Sequence, residues 1–400
     1  MILNRRSALA LGAAALALRS VSARAQGADI VVGAPNALSG GYGEGGRQVV
    51  NGLRIAVDEI NAGGGIKALQ GRKLKLSPAD TSSDKPAQAA SVTRRLITED
   101  HASVLVGAHV STMTLAAQLE AERAEVPIIT TSYADSIVSK GYKYTFKIPP
   151  QSSVLSAAGL DDIAELYQTL KHEPVKRLAV FYGSDANSQA IGSAYLDLAK
   201  KRGIDVVASA ALPSPITDPT PVIAPLRQSN PQVIILNLFT DDTILTARAL
   251  RNLGIMAPLI GSGSGVTVKA IPEALGKQAD NLMGTVAWNS DLPIKGVAEF
   301  DAAYKKAYPS EPLVPQEAGE GYAIGLLIGQ ALENAASDDP KKIRDAIAAI
   351  DMPAILPGGR IQFAENGQNK DIVPLLVGWK DGVLHTLWPS QYATAQPSLP

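Results

Sequence analysis

Between an expected strand at residues 29–36 and an expected helix at 46–62 stands Gly41-Tyr42-Gly43-Glu44-Gly45-Gly46. This spells G-x-G-x-x-G, the pattern whose glycines let a dinucleotide pyrophosphate reach a helix N-terminus. The same chemistry needs an acid about 20 residues further on, closing the second strand and holding a ribose hydroxyl. The first acid able to close that strand is Asp80, beyond the helix and the Gly63-Gly64-Gly65 loop. The spacing speaks against a dinucleotide and for a tight turn whose glycines let another ligand approach the helix start.

Hydrolytic and metal chemistry find less. Gly261-Ser262-Gly263-Ser264-Gly265 puts a glycine where the G-x-S-x-G elbow needs its nucleophile. His101, His109, His172 and His385 are the 4 histidines, and none has the i+3 or i+4 companion of a helical zinc pair. With 0 cysteines there is no disulfide, thiolate site or N-terminal lipid attachment through cysteine. No catalytic residue, metal or cofactor is expected.

Two polar segments remain. Ser111-Thr112 follows the apolar run 103–107 and opens a helix-period stretch at 111–124. Capping of that helix would explain both residues; in a cleft, the same hydroxyls, free N–H groups and positive helix end would bind a carboxylate. Residues 130–136 follow the strand at 126–130 and offer hydroxyls, Tyr133 and the Asp135 carboxylate to polar or cationic groups.

The elements that must position these groups alternate. Apolar strands at 29–36, 73–80, 103–107 and 126–130 are separated by helix-period stretches at 46–62, 86–100 and 111–124. Past a Pro-Pro connector at 147–153, strands at 177–182, 205–211, 233–238, 258–261 and 284–288 interleave with helices at 188–202 and 241–253. Helical periodicity returns at 297–307, 321–336 and 341–350; residues 359–364, Gly367 and a hairpin at 375–387, turning at Asp381-Gly382, close the chain. This is an α/β pattern made twice, implying mainly parallel sheets. A chain of 400 residues, 46% hydrophobic, also divides into roughly two lobes of 100–200 residues. We expect a first lobe from 26–148 plus 289–355 and a second from 149–288 plus 356–400, with a ligand cleft at the carboxyl ends of the strands.

A net charge of −1 gives no electrostatic reason for a nucleic-acid or membrane-surface partner. Residues 1–7 carry Arg5-Arg6, 8–18 are uncharged and apolar, and Ala23-Arg24-Ala25 is an A-x-A cleavage site. These are the parts of a secretory signal, cleaved after Ala25; the apolar run is too short for a permanent span. The twin arginine leaves the folded-protein export route open.

Leu38-Ser39-Gly40, Asn51-Gly52-Leu53 and Ala56-Val57-Asp58-Glu59-Ile60-Asn61-Ala62-Gly63-Gly64 resemble the periplasmic solute-binding proteins of branched-chain amino acid ABC transporters, the leucine/isoleucine/valine-binding type. Asp80, Ser82-Ser83-Asp84-Lys85-Pro86, Leu96-Ile97, Val106-Gly107, Val126-Pro127, Gly359-Arg360-Ile361-Gln362-Phe363 and Gly367 extend the resemblance over the mature chain. It implies a type I periplasmic binding protein: two Rossmann-like lobes, hinged, closing on a small-molecule ligand and docking on inner-membrane permease subunits, with no enzymatic activity. It places the carboxylate grip on Ser111 and a side-chain contact on His109. The fourth-strand loop, receiving the ammonium and more of the carboxylate, falls on Tyr133 (through its backbone) and Asp135. Second-lobe contacts fall on Asn187 and near Phe239. Tyr42, Thr112, Ala134 and Ser262, in or beside the same post-strand segments, complete the candidate ligand-binding residues.

Two positions depart from the family. The second-lobe carboxylate that neutralises the ammonium falls near Gly263, and Asp135 stands where amino-acid binders carry a hydroxyl. With His109, Tyr42, Tyr133, Phe239 and Trp288 as a wider lining, the ligand stays open between a branched-chain amino acid, an amide or urea-like compound, and an aromatic acid. Three function classes stand: a monomeric solute-binding protein feeding an importer, a ligand-sensing receptor of the same fold acting on a signalling partner, and a secreted hydrolase. Neighbouring permease and ATPase genes separate the first two; turnover of the ligand marks the third.

Overall fold

The structure, a computed structural model, describes residues 27–184, 186–262, 264–280 and 282–399; the expected signal at 1–25 lies outside them. Its first sheet has five strands in the order β2-β1-β3-β4-β5, all parallel. These are β1 (Ile30–Asn36), β2 (Leu74–Asp80), β3 (Val104–Val106), β4 (Ile128–Thr130) and β5 (Thr145–Lys147). The second sheet has seven, in the order β14-β13-β10-β9-β8-β6-β7. Its parallel part is β6 (Arg177–Gly183), β7 (Asp205–Leu212), β8 (Val233–Asn237), β9 (Leu259–Ser262) and β10 (Leu282–Val286). A ribbon of β11 (Asp351–Pro353) and β12 (Arg360–Gln362) precedes the antiparallel hairpin β13 (Leu375–Lys380) and β14 (Val383–Trp388). Its turn is Asp381-Gly382, both at positive φ, as the sequence suggested.

The uninterrupted apolar runs of the second sheet follow from burial on both faces. Successive residues point to opposite sides, so Leu178, Val180, Val233 and Ile235 fill one core. Ala179, Phe181, Ile234 and Leu236 fill the other. The crossover helices supply the covering layers: α1 (Gly43–Ala62), α2 (Pro86–Thr98) and α3 (Ser111–Ala124) serve the first sheet. α4 (Ser152–Lys171), α5 (Ala186–Lys201) and α6 (Thr240–Asn252) serve the second.

The chain then returns. α7 (Val297–Ala307), α8 (Gln316–Ala335) and α9 (Pro340–Ala348) rejoin the first lobe, where α8 lies along α1. Leu53 and Ala56 share one core with Ile324, Leu327 and Ile328. The backbones approach so closely that a β-carbon at Gly52 would sit 1.9 Å from the Ala318 carbonyl oxygen, so only glycine fits. The chain therefore passes between the sheets at 148–151, 287–296 and 370–374.

Two parts of the sequence reading need correction. The connector at 147–153 leads directly into α4, a 20-residue helix that the periodicity did not reveal. Residues 363–369, expected with the second lobe, instead extend the first sheet. The Lys147 amide donates to the Gly367 carbonyl and the Asn369 amide to the Lys147 carbonyl, each at 2.8 Å. No helix among the described residues is long and apolar enough to cross a membrane.

Candidate ligand-binding site

Residues immediately after the strand ends meet in an interlobe cavity of about 430 Å³, the position open parallel sheets give their ligands. Tyr42, His109, Ser111, Thr112 and Tyr133 line it from the first lobe and Phe239 from the second. Tyr42 and Phe239, 41% and 43% exposed, bring their ring centroids to 6.3 Å across the cleft.

Ser111 is not the cap of its helix. The N-cap of α3 is Val110, which offers no side-chain hydrogen bond. Ser111 and Thr112 thus open the first turn, whose N–H groups have no carbonyl within the helix and no capping hydroxyl. Together with the helix dipole they suit an anion. The Ser111 hydroxyl oxygen accepts the Ala134 N–H at 3.3 Å, and its own proton can still be donated to a ligand oxygen.

Buried hydroxyls fix the turn leading into α3. Ser132 Oγ donates to the His109 carbonyl at 2.6 Å, Thr114 Oγ1 lies 2.6 Å from Ser132 Oγ, and the Ala108 amide donates to Thr114 Oγ1 at 3.0 Å. They hold His109 at φ +62°, a left-handed conformation uncommon outside glycine, though histidine, asparagine and aspartate adopt it more often than other side chains. Burial pushes the imidazole down to about 4, so it is neutral near pH 7, with Nδ1 3.3 Å from Thr131 Oγ1.

The glycine-rich turn now has its reason. A β-carbon at Gly45 would sit 2.3 Å from His109 Nε2, so the glycine makes room for this protein's own histidine. Asp80 is engaged nearby: its carboxylate accepts the Leu38 and Ser82 amides at 2.9 and 2.8 Å and the Ser39 hydroxyl at 2.6 Å. Burial alone would raise this acid, but those bonds hold it below the usual carboxylate range.

The fourth-strand loop departs from what the resemblance implied. The Tyr133 carbonyl, expected to receive a ligand ammonium, accepts Lys147 Nζ at 2.6 Å, and the Ala134 carbonyl accepts the same nitrogen at 3.4 Å. Lys147 is fully buried, and burial brings its ammonium down to about 7. Asp135 is not among the cavity-lining residues. Its carboxylate accepts the Ser153 amide at 3.2 Å and the Ser153 hydroxyl, capping α4 from outside. Ala134 likewise lies outside the lining and acts through its N–H. Asn187 falls in the first turn of α5 and Ser262 at the end of β9; their side chains, and Gly263, lie outside what the structure describes. Trp288 is buried, with its indole N–H donated to the Ile355 carbonyl at 2.9 Å.

The sequence reading missed the acid. Glu317, in the first turn of α8, lines the cavity, and so do Gln316, Tyr195 and Thr285. Burial raises the Glu317 carboxyl above its ordinary value. Gln316 connects it to the aromatic wall: Gln316 Nε2 donates to Glu317 Oε1 at 3.3 Å, and the Tyr133 hydroxyl donates to Gln316 Oε1 at 3.4 Å and to Glu320 Oε1 at 3.0 Å. A second chamber of about 570 Å³ shares Tyr42, His109, Thr240, Gln316 and Glu317 with the first. The signal was present in Pro315 and Glu317, a proline at a helix entrance followed by an acid in the first turn. The periodic reading began that helix at 321, one turn too late.

A family model described as "Periplasmic binding protein" matches residues 29–376. The "Leu/Ile/Val-binding protein homolog 8" of Brucella suis is 28% identical, over 98% of this chain and 98% of that protein. Among solved structures, the branched-chain amino acid transporter substrate binding protein of Streptococcus pneumoniae, in complex with isoleucine, superposes with a TM-score of 0.76. It is 22% identical, over 90% of this chain and 100% of that one. An ABC transporter solute binding protein of R. palustris, in complex with benzoate, gives 0.74 at 21% identity, over 93% and 99% of the two chains. These structural likenesses establish the two-lobed fold.

Proposed function

Because the chain belongs to the family of periplasmic binding proteins, we propose that it captures a small carboxylate-bearing solute between its lobes and delivers it to the permease of an ABC importer. The observation that carries the reading is the uncapped start of α3 at the wall of a cavity that both lobes line. Relatives named for leucine, isoleucine and valine, and a neighbour holding benzoate, support a carboxylate as the common ligand feature.

The mechanism is closure. A ligand carboxylate enters the first lobe at Ser111 and Thr112; the ligand's other end then meets Phe239 and the floor of the second lobe, including Tyr195 and Thr285. Contacts made only when both lobes are engaged shift the open–closed population toward closed. The closed surface is what a permease distinguishes from the empty protein. Export through the segment ending at Ala25 places this capture in the periplasm.

A thermal-shift screen of the mature chain against amino acids, amides and aromatic acids tests the proposal. A specific ligand raises the melting temperature by mass action. A shift with carboxylates that is lost in their amides and esters is the expected result. Equal response to acid and amide, or none to any carboxylate, refutes the anion site.

A further inference from the structure

Among the described residues lining the first chamber there is one ionisable acid, Glu317, and no lysine or arginine. The other acids of the second chamber have partners of their own. Glu44 accepts Arg47 Nη2 and Gln48 Nε2, each at 2.6 Å, and Glu311 accepts Gln48 Nε2 at 2.8 Å and the Tyr304 hydroxyl. The Glu317 carboxylate has its own backbone N–H and the Gln316 carboxamide, at 3.3 Å, as hydrogen-bond partners, both neutral. Lys269 lines the second chamber, so it is in the first chamber that Glu317 stands without a lysine or arginine; a half-buried carboxylate so placed is strongly stabilised when the ligand brings a cation.

Its place relative to the anion grip sets the ligand's length. Ser111 Oγ touches the backbone end of the 133–134 loop, at the Ala134 amide. Gln316 touches the opposite end of Tyr133, its phenol oxygen, and the same carboxamide donates to Glu317. The two ligand-facing charges are thus separated by a tyrosine side chain and a carboxamide. An α-amino acid carries its charges on neighbouring atoms and cannot reach both. The alternative ammonium acceptor beside Ser111, the Tyr133 carbonyl, already faces the Lys147 cation.

Resting on the carboxylate reading above, we propose that Glu317 receives a cationic group of the ligand, and that the ligand is a carboxylate whose ammonium is remote from it, an aminoalkyl-aromatic or ω-amino acid, rather than an α-amino acid. Glu317 from the first lobe does the neutralising that the family places on the second.

Isothermal titration of the mature chain with benzoate, para-(aminomethyl)benzoate and leucine tests this. The expected order is para-(aminomethyl)benzoate at least about tenfold tighter than benzoate, with leucine weaker than both. E317Q should bring the preference for the aminated probe to within about twofold. Benzoate bound as tightly as its aminated form, leucine bound tightest, or a preference that E317Q leaves intact each overturns the assignment. The comparison of the three probes on the unmodified protein decides the matter even if E317Q does not fold. Benzoate binding without preference refutes the Glu317 assignment alone. Failure of every carboxylate to bind refutes the underlying reading, and this one with it.

Discussion

Replacing Ser111 with alanine removes one donor from the proposed carboxylate grip while leaving the helix start in place. Because Val110 and not Ser111 occupies the N-cap, the substitution removes no capping bond. The only intramolecular loss is the acceptor for the Ala134 N–H, at a long 3.3 Å. The folding cost should stay below about 1 kcal/mol, the net worth of a typical neutral hydrogen bond. A hydrogen bond to a charged ligand oxygen is worth about 1.5–3 kcal/mol, so Kd should rise about 10- to 150-fold at 25 °C. Titration calorimetry of both proteins with the best carboxylate from the screen gives the ratio, and a urea melt gives the stability term separately. A Kd within about twofold of the parent would show that the hydroxyl does not touch the ligand. A large loss of stability with unchanged affinity would return Ser111 to a structural role.

Asp135→Ala should behave oppositely: loss of the external cap on α4 should cost about 1 kcal/mol of stability with little change in Kd, and a large affinity loss would reinstate Asp135 as a ligand contact. The depressed His109 pKa, about 4 against 6.5 in the unfolded chain, means the unfolded state binds the proton first. This stabilisation is therefore complete above about pH 6.5 and is lost as pH falls through about 4, by at most about 3 kcal/mol. Urea melts across that window should show the decline, and His109→Asn, which tolerates the left-handed backbone, should flatten it; an equally steep decline in the variant assigns it elsewhere. Phe239→Ala removes the ring contact with Tyr42 across the cleft and should weaken ligand binding by about 0.5–1.5 kcal/mol, chiefly through faster release seen in stopped-flow fluorescence. An unchanged release rate would mean that the aromatic pair does not hold the lobes together.

What was legible in the sequence was whatever a local pattern determines. The runs 177–182 and 233–238 read as buried strands because both faces of their sheet are covered. β5 was hidden because its last residue is a lysine, buried here only because the Tyr133 and Ala134 carbonyls receive its ammonium. α4 was hidden for a related reason: its N-cap, Gln151, supplies no side-chain bond, and the carboxylate that caps it comes from Asp135, 18 residues before the Ser153 amide that it accepts. At the site, Ser111, His109, Tyr133 and Phe239 follow their strands directly, so strand positions located them. Glu317 reaches the same cavity by the return of the chain to the first lobe; that return was expected for 289–355, but apolar periodicity starts the helix at 321 and so passes over the polar first turn that carries the acid. The family position for the acid pointed to Gly263, in the other lobe.

The union of α1 with α8 also fixes the order in which this molecule can become itself. The apolar stripe of α1, made early, finds its cover only when residues 316–335 arrive. Closing so long a loop adds only slowly to the entropic cost but strongly delays the contact. Until then the first lobe is an unfinished half with a greasy helix face, the kind of surface on which nascent chains aggregate. The second sheet's parallel strands lie between the two pieces in the chain, but its hairpin β13–β14 follows residues 316–335, so neither lobe is complete before they arrive. A fragment ending before residue 316 should therefore resemble neither lobe's finished state, and the protein is two lobes in shape but one unit in assembly.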